Sequence, residues 1–201
     1  MITAKFLINY NCFKKGDEFK FNKGVTLVVG DQGCGKSTLL ECMGKYSENL
    51  KKIEVKSDEP LKTFYLDFEK NNPRMSHYYN GPLDLHTRFQ SHGESVKLLL
   101  GYLTDPESKD ALIIMDEPDM SLSIRSCNML SEQLKKFQEE GRWIIMSAHN
   151  PIIISSMETV YSLEHRKYMS SKEFIESHSK PLEDVKEPKV TRKSFTKRKS
   201  K

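Results

Sequence analysis

Short apolar runs alternate with longer segments of mixed polarity along much of the chain. Three of the runs, Val25–Val29, Leu112–Met115 and Trp143–Met146, are almost wholly apolar and contain β-branched residues. Such runs predict strands that are buried on both faces. The longest of the mixed segments, Leu122–Glu140, carries apolar residues at helical spacing and ends at a glycine. Strands in alternation with helices predict an α/β fold with a mostly parallel sheet.

Weaker patterns complete the predicted architecture. The runs Ile2–Asn9 and Glu18–Phe21, joined by a turn at 14–17, predict an N-terminal antiparallel portion. Other segments predict helices at 36–46, 94–103 and 151–157, strands at 63–68 and 160–163, and a loop at 71–84. The helix at 94–103 would form a short lid. The inward face of the long helix is predicted to hold Leu122, Met129, Leu130, Leu134 and Phe137.

Charge divides the chain unevenly. The 201 residues carry a net charge of +4 and suit one domain. Residues 186–201 hold eight Lys or Arg and one acid, so the remainder is net negative. We therefore expect one folded domain at 1–185 and a disordered basic tail at 186–201. The tail is either a solubilising terminus or a non-specific anchor for polyanions, of which nucleic acid is the foremost.

Hydropathy and cysteine spacing exclude several protein classes. The longest apolar runs reach about five residues, whereas a membrane span needs about 20. Lys5 interrupts the first apolar stretch, so the sequence predicts no signal peptide. The four cysteines lack the spacing of a metal site or a disulfide framework. We expect free thiols, a cytoplasmic location and no membrane contact.

A glycine-rich segment between a predicted strand and a predicted helix indicates phosphate binding. Residues 30–37, GDQGCGKS, fit the pattern G-x-x-x-x-G-K-[ST]. In such loops the backbone N–H groups and the helix N-terminus surround phosphates, Lys36 reaches the β- and γ-phosphate oxygens, and Ser37 offers a hydroxyl to Mg²⁺. The sequence thus predicts ATP and Mg²⁺ as ligands. The predicted nucleotide-binding residues of this loop are Gly30, Asp31, Gln32, Gly33, Cys34, Gly35, Lys36, Ser37 and Thr38.

Two acids follow the second buried strand directly. Asp116 and Glu117 are adjacent to Pro118, which ends the strand. Ligands of open α/β sheets bind at the carboxyl ends of strands, so Asp116 is predicted to hold Mg²⁺. Glu117 is predicted to be the general base that deprotonates the attacking water. The alternative is that both are solvated acids at a strand end.

The motifs taken in order resemble those of a known family. The segments GDQGCGKST, SHGES, LIIMDEPDMSLS and MSAHNP resemble the motifs of ABC-type ATPases. The chain is most similar to the small stand-alone ATPases of bacteria and phages that are related to the RecF and SMC repair ATPases. The resemblance extends from about Val25 to Ser177. It implies an ATP-dependent homodimer with two nucleotides sandwiched between the subunits.

The resemblance also assigns residues that would act across the dimer. Ser91, Gly93 and Glu94 occupy the signature motif, which in the family binds the nucleotide held by a second subunit. The segment Asp119–Ser123 corresponds to a loop that follows the dimer interface, although Ser123 stands where the family usually has Asp. The alternative for the signature segment is an ordinary capping box, formed by Ser91 and Glu94.

Two further residues take family roles with less sequence support. His149 corresponds to the switch histidine that contacts the γ-phosphate, and the alternative is a structural histidine after a strand. The glutamine that usually follows the strand after the first helix is missing, and Glu69 is the nearest candidate for its metal-ligand role. No sequence feature identifies the residue that contacts adenine, for which Phe13 and Lys14 are candidates.

The sequence thus predicts a Mg²⁺-dependent ATPase whose dimerisation cycle acts as a conformational switch on DNA or on a partner protein such as a nuclease. One alternative is a nucleotide-gated binding module for DNA or protein with little turnover. Another is a P-loop kinase, which would have no need for Glu117 and His149 in these positions.

Overall fold

The computed structural model describes residues 1–59, 62–67, 110–120 and 122–179. The predicted loop at 71–84, the predicted lid helix at 94–103 and the basic segment at 186–201 lie outside these residues. The predicted division into a domain and a tail therefore stays a prediction.

A six-stranded sheet forms the centre of the fold. Its strands are β3 (Val25–Val29), β5 (Lys62–Asp67), β6 (Ala111–Asp116), β7 (Trp143–Ser147), β8 (Thr159–Ser162) and β9 (Lys167–Ser170). Their order across the sheet is β5-β6-β7-β3-β8-β9. All neighbouring pairs are parallel except β8 and β9, which are antiparallel. The predicted α/β class is confirmed.

A smaller antiparallel sheet, in the order β2-β1-β4, packs beside the large one. Its strands are β1 (Ile2–Phe6), β2 (Glu18–Phe21) and β4 (Ile53–Ser57). The sequence predicts β1 and β2 but not β4, because β4 has polar residues at three of its five positions and no turn signal before it. Pairing with β1 over its whole length stabilises it.

The helices cover both faces of the large sheet. They are α1 (Lys36–Gly44), α2 (Tyr46–Asn49), α3 (Ile124–Glu139), α4 (Pro151–Ser155) and α5 (Ser171–His178). The helix α3 begins at its cap Ser123, whose side chain accepts the Ser126 N–H, and it ends before Gly141, which has a φ of +66°. Within the described ranges, no helix combines the length and the apolar character needed to cross a membrane.

Two apolar clusters lie on opposite faces of the large sheet. One packs Leu130, Leu134 and Phe137 of α3 against the sheet, together with α4 and α5. The other packs α1 and the small sheet against the opposite face, with Phe6 and Leu39 fully buried. All residues of β3, β6 and β7 are buried, as the continuous apolar runs predict.

Two details of the predicted core and cleft are wrong. Met129 is 38% exposed, because the inward face of α3 turns through Cys127 and Leu130 and leaves Met129 at its margin. Phe13 stacks on Phe6, with ring centroids 4.5 Å apart, and is buried. Its ring therefore belongs to the core and not to an adenine-binding surface.

Candidate functional site

The carboxyl ends of β3, β6 and β7 lie next to one another and carry the candidate residues. The strand β7 lies between β3 and β6 in the sheet. A cleft of about 780 Å³ opens at this edge, within the range of small-molecule sites. It is lined by Asn11, Cys12, Gln32, Gly33, Gly35, Lys36, Ser37, Thr38, Glu117, Asp119, Met120, His149 and Asn150. The structure thus brings together the phosphate-loop motif and the candidate residues that follow β6 and β7.

The loop between β3 and α1 adopts a conformation that requires its glycines. Gly33 and Gly35 have φ values of +79° and +105°, in the left-handed region that side chains disfavour. A Cβ at Gly35 would also meet Cys12 Sγ and the Phe13 ring. The loop therefore depends on both backbone freedom and close packing against residues 12 and 13.

Lys36 is folded back over this loop. Its Nζ donates to the carbonyl oxygens of Gly30 at 2.8 Å and Asp31 at 2.9 Å, and it lies 3.7 Å from Cys34 Sγ. These described partners are neutral, and the Lys36 side chain is buried. Burial also raises the pKa of the Cys34 thiol, so this sulfur does not supply a counter-charge at neutral pH. A buried ammonium among neutral dipoles is suited to an anionic ligand.

Side-chain oxygen atoms from three elements, α1, β6 and β7, meet at Asp116. Its Oδ1 accepts the hydroxyl of Ser37 at 3.3 Å and the hydroxyl of Ser147 at 2.8 Å. Asp67 is buried and lies opposite Asp116 where the strand β5 pairs with β6. Burial, followed by the negative charges of Asp116 and Asp67, raises the pKa of Tyr65. This edge of the sheet therefore carries negative charge.

The donor set fits a magnesium ion. Carboxylate and hydroxyl oxygens are the ligands that Mg²⁺ prefers, and Mg²⁺ in nucleotide sites usually takes few protein ligands beside phosphates and water. Ser37 and Asp116 supply one hydroxyl and one carboxylate that already lie within 3.3 Å of each other. The third predicted ligand, Glu69, lies outside the described residues.

Glu117 and His149 lie next to each other in the wall of the cleft. The distance from His149 Nε2 to Glu117 Oε1 is 3.6 Å, and the side chains are 39% and 27% exposed. Glu117 has a φ of +53°, a strained conformation for a residue with a side chain. Its N–H donates to Ser147 Oγ at 2.7 Å, which helps to hold that conformation. The remaining predicted nucleotide contacts, Ser91, Gly93 and Glu94, lie outside the described residues.

Three residues support the site through contacts that the sequence does not indicate, although Ser147 and Asp119 stand within the quoted motifs. Ser147 bridges Asp116 and the backbone of Glu117. Asp119 accepts the backbone N–H groups of His149 and Asn150, each at 2.7 Å. Glu164, in the turn between β8 and β9, accepts the Asp31 N–H at 2.8 Å and supports the loop from outside.

Comparisons with known proteins identify the fold. A family described as an AAA domain matches residues 6–76, about a third of the chain. No curated protein matches the sequence. Among solved structures, a chain described as an ABC transporter of the metal-chelate type, facing inward, aligns with a TM-score of 0.56 and 15% identity over 86% of this chain and 84% of that one.

Two further structures show the same likeness. CbiO1 from Clostridium perfringens, part of the ABC transporter complex CbiONQ, aligns with a TM-score of 0.54 and 17% identity over 88% of this chain and 91% of that one. An ATP-binding cassette of an ABC transporter, in its ADP conformation, aligns with a TM-score of 0.51 and 16% identity over 90% and 95%. The chain therefore has the mostly parallel α/β fold, with an N-terminal antiparallel sheet, of ABC-type P-loop ATPase domains.

Proposed function

We propose that this protein is a Mg²⁺-dependent ATPase of the ABC type. The observation that carries the proposal is the meeting of two half-sites in one cleft. Lys36 and the glycine loop form the first half, and the pair of Glu117 and His149, 3.6 Å apart, forms the second. A cleft that only bound phosphate would need the first half alone. The similarity of fold to ATP-binding cassettes supports the same conclusion.

The loop residues would bind the triphosphate. The Lys36 ammonium would exchange its neutral carbonyl acceptors for negatively charged phosphate oxygens, so that donor and acceptor would both carry charge. Ser37 and Asp116 would hold Mg²⁺. When bound, Mg²⁺ supplies positive charge that offsets the negative charge developing on the transferred phosphoryl group.

Glu117 is placed to act as the general base. Its carboxylate lies in the cleft and is partly exposed, so water can reach it. Proton abstraction by a positioned carboxylate contributes about 10²–10⁴-fold to a rate. His149, beside it, would hydrogen-bond the γ-phosphate or the attacking water and so fix the line of attack.

We further propose that the active form is an ATP-dependent homodimer. The family resemblance puts Ser91, Gly93 and Glu94 against the nucleotide of a second copy. Met120, an exposed apolar residue that lines the cleft, and the 71% exposed Ile124 at the start of α3 support coverage of this part of the molecule by protein. The closing and opening of such a dimer would form a conformational switch on DNA or on a partner such as a nuclease.

A nucleotide-gated binding module with little turnover is the second candidate. The observation that favours it is the basic segment 186–201, which is suited to a polyanion and contains none of the nucleotide-site motifs. The cycle of such a binding module would depend on nucleotide binding and exchange. Phosphate release in the presence and absence of DNA distinguishes the two functions.

The decisive experiment compares the wild type with Glu117→Gln and with the control Glu132→Gln, an exposed acid on α3 that does not line the cleft. We expect Glu117→Gln to bind ATP, to lose phosphate release by about 10²-fold or more, and to accumulate as a dimer in light scattering. Glu132→Gln should match the wild type.

Turnover by Glu117→Gln at the wild-type rate would remove Glu117 from the mechanism. A wild type that binds ATP without phosphate release, with or without DNA, would favour the gated module. Ser91→Arg tests the dimer separately, because added bulk in the predicted interface should block dimerisation and leave ATP binding intact. A Ser91→Arg protein that still dimerises with ATP would contradict the signature assignment.

A further inference from the structure

Asp119 is a buried carboxylate at the rim of the cleft. It is 4% exposed, and its Oδ2 accepts two backbone N–H groups, those of His149 and Asn150, each at 2.7 Å. Among the described residues, its Oδ1 is buried without a hydrogen-bond partner. Burial of an ionised group with incomplete pairing is unfavourable, so a side chain that served packing alone would be apolar.

The contacts of Asp119 fix the loop that carries His149. This loop joins β7 to α4, and its next residue, Asn150, is anchored as well. Asn150 Oδ1 accepts the Ile152 N–H at 2.9 Å, and its Nδ2 lies 3.2 Å from Cys127 Sγ. The backbone N–H groups of His149 and of the next residue are therefore both held.

The same short segment carries Glu117 and Asp119. Glu117 donates its N–H to Ser147, which precedes the His149 loop, and Asp119 accepts from the loop itself. Two sets of hydrogen bonds thus join the segment after β6 to the segment after β7. The separation of 3.6 Å between His149 Nε2 and Glu117 Oε1 depends on both.

We propose that Asp119 is a positioning residue that sets the distance between His149 and Glu117. This inference rests on the proposed ATPase function. Asp119 acts on the rate of hydrolysis through His149, and it has no part in holding the triphosphate. A carboxylate suits this role because its oxygens only accept hydrogen bonds, so no rotation of the group can present a donor to the loop.

The test is a double-mutant cycle with Asp119→Ala, His149→Ala and the double variant, measured as kcat and as ATP affinity. Displacement of catalytic groups by about 1 Å can lower a rate by about 10²-fold. We expect Asp119→Ala to lower kcat at least tenfold and to change the ATP dissociation constant less than threefold. In the His149→Ala background the same substitution should have no further effect.

Asp119→Asn is the conservative control, because its amide oxygen can accept both N–H groups and should restore most of kcat. Thermal unfolding of each variant shows that it is folded. A further loss of kcat in the His149→Ala background would overturn the proposal, as would a loss of ATP affinity equal to the loss of kcat. Failure of Asp119→Asn to recover any activity while folded would also overturn it.

A second measurement needs no hydrolysis and so separates this inference from the proposed function. Hydrogen exchange followed by NMR should show the His149 and Asn150 amides protected in the wild type and in Asp119→Asn, and unprotected in Asp119→Ala. Unprotected amides in the wild type would overturn the positioning role. Protected amides in a wild type that does not hydrolyse ATP would instead overturn the ATPase proposal and leave the geometry intact.

Discussion

Ser147 donates its hydroxyl hydrogen to Asp116 Oδ1 across the pair of strands β7 and β6, at 2.8 Å. The same hydroxyl oxygen accepts the N–H of Glu117 at 2.7 Å. Because Ser147 is fully buried, neither contact competes with bulk water. One serine therefore orients the candidate magnesium ligand and supports the strained backbone of the candidate base.

Ser147→Ala should weaken Mg²⁺ binding. The substitution removes the hydrogen bond that orients Asp116, and loss of such supporting contacts lowers metal affinity by about 10–100-fold. The Mg²⁺ dependence of phosphate release, or of ATP binding in calorimetry, measures the change. Ser156→Ala removes a hydroxyl that, among the described residues, bonds the Ile153 carbonyl of α4, and it serves as the control. An unchanged Mg²⁺ requirement in Ser147→Ala would contradict the orienting role.

Lys36→Ala should abolish tight ATP binding. The variant removes the buried ammonium that lies over the loop carbonyls, and with it a charge-assisted bond of about 1.5–3 kcal/mol. Calorimetry with ATP measures the loss. Lys172→Ala, an exposed lysine on α5, is the control. Equal affinity of Lys36→Ala and the wild type would contradict the phosphate-loop assignment.

The central fold follows from the sequence because its strands are continuous apolar runs. Val25–Val29 and Trp143–Ser147 are buried throughout, so hydrophobic burial alone predicts them. In contrast, β4, with the sequence IEVKS, is stabilised by pairing with β1 and has little apolar pattern of its own. The order of the strands likewise depends on packing between distant segments, which local periodicity does not contain.

The site was predictable where a local motif forms it. Lys36, Ser37 and Glu117 belong to two local motifs, and all three line one cleft. The contacts of Glu164 join residues 133 positions apart, and no local spacing encodes them. The family resemblance places Asp119 only in an interface loop, because its two backbone hydrogen bonds depend on how the ends of β6 and β7 meet.

Glu164→Ala should weaken ATP binding, because it removes the acceptor of the Asp31 N–H and loosens the start of the phosphate loop. Glu164→Gln should retain affinity equal to or above the wild type. Its amide oxygen can still accept the N–H, and the variant removes a negative charge near the phosphates. Calorimetry with ATP compares the two. Weaker binding by Glu164→Gln than by Glu164→Ala would contradict this explanation.

Asp17→Asn should lower stability at neutral pH but not in acid. Arg166 donates two hydrogen bonds to Asp17, at 2.7 and 2.9 Å, and lowers the pKa of that carboxyl below its ordinary value. This ion pair contributes at most about 1 kcal/mol to the free energy of unfolding. The contribution is present above the pKa of Asp17 in the unfolded chain and is lost as the pH falls through its pKa in the folded protein. Urea unfolding at pH 7 and pH 3 measures it. A difference that is as large at pH 3 as at pH 7 would contradict the ionic origin.

The division of charge gives the last prediction its basis. Residues 186–201 carry eight bases and one acid, whereas the whole chain has a net charge of only +4. The rest of the chain is therefore net negative and is repelled by a phosphate backbone unless a local basic patch offsets this. If the protein binds nucleic acid, the basic segment is the part with the charge to do so.

Deletion of residues 186–201 should weaken duplex DNA binding at low salt and leave basal ATPase activity nearly unchanged. Contacts between all eight bases and phosphates would give log K a slope near −7 against log salt, and partial contact about half of that. Binding should not depend on sequence, because phosphate contacts carry no base information. A chain of equal length with the eight bases replaced by Gln separates charge from length and should behave like the deletion. If either variant binds DNA as tightly as the full chain, the segment has only a solubilising role.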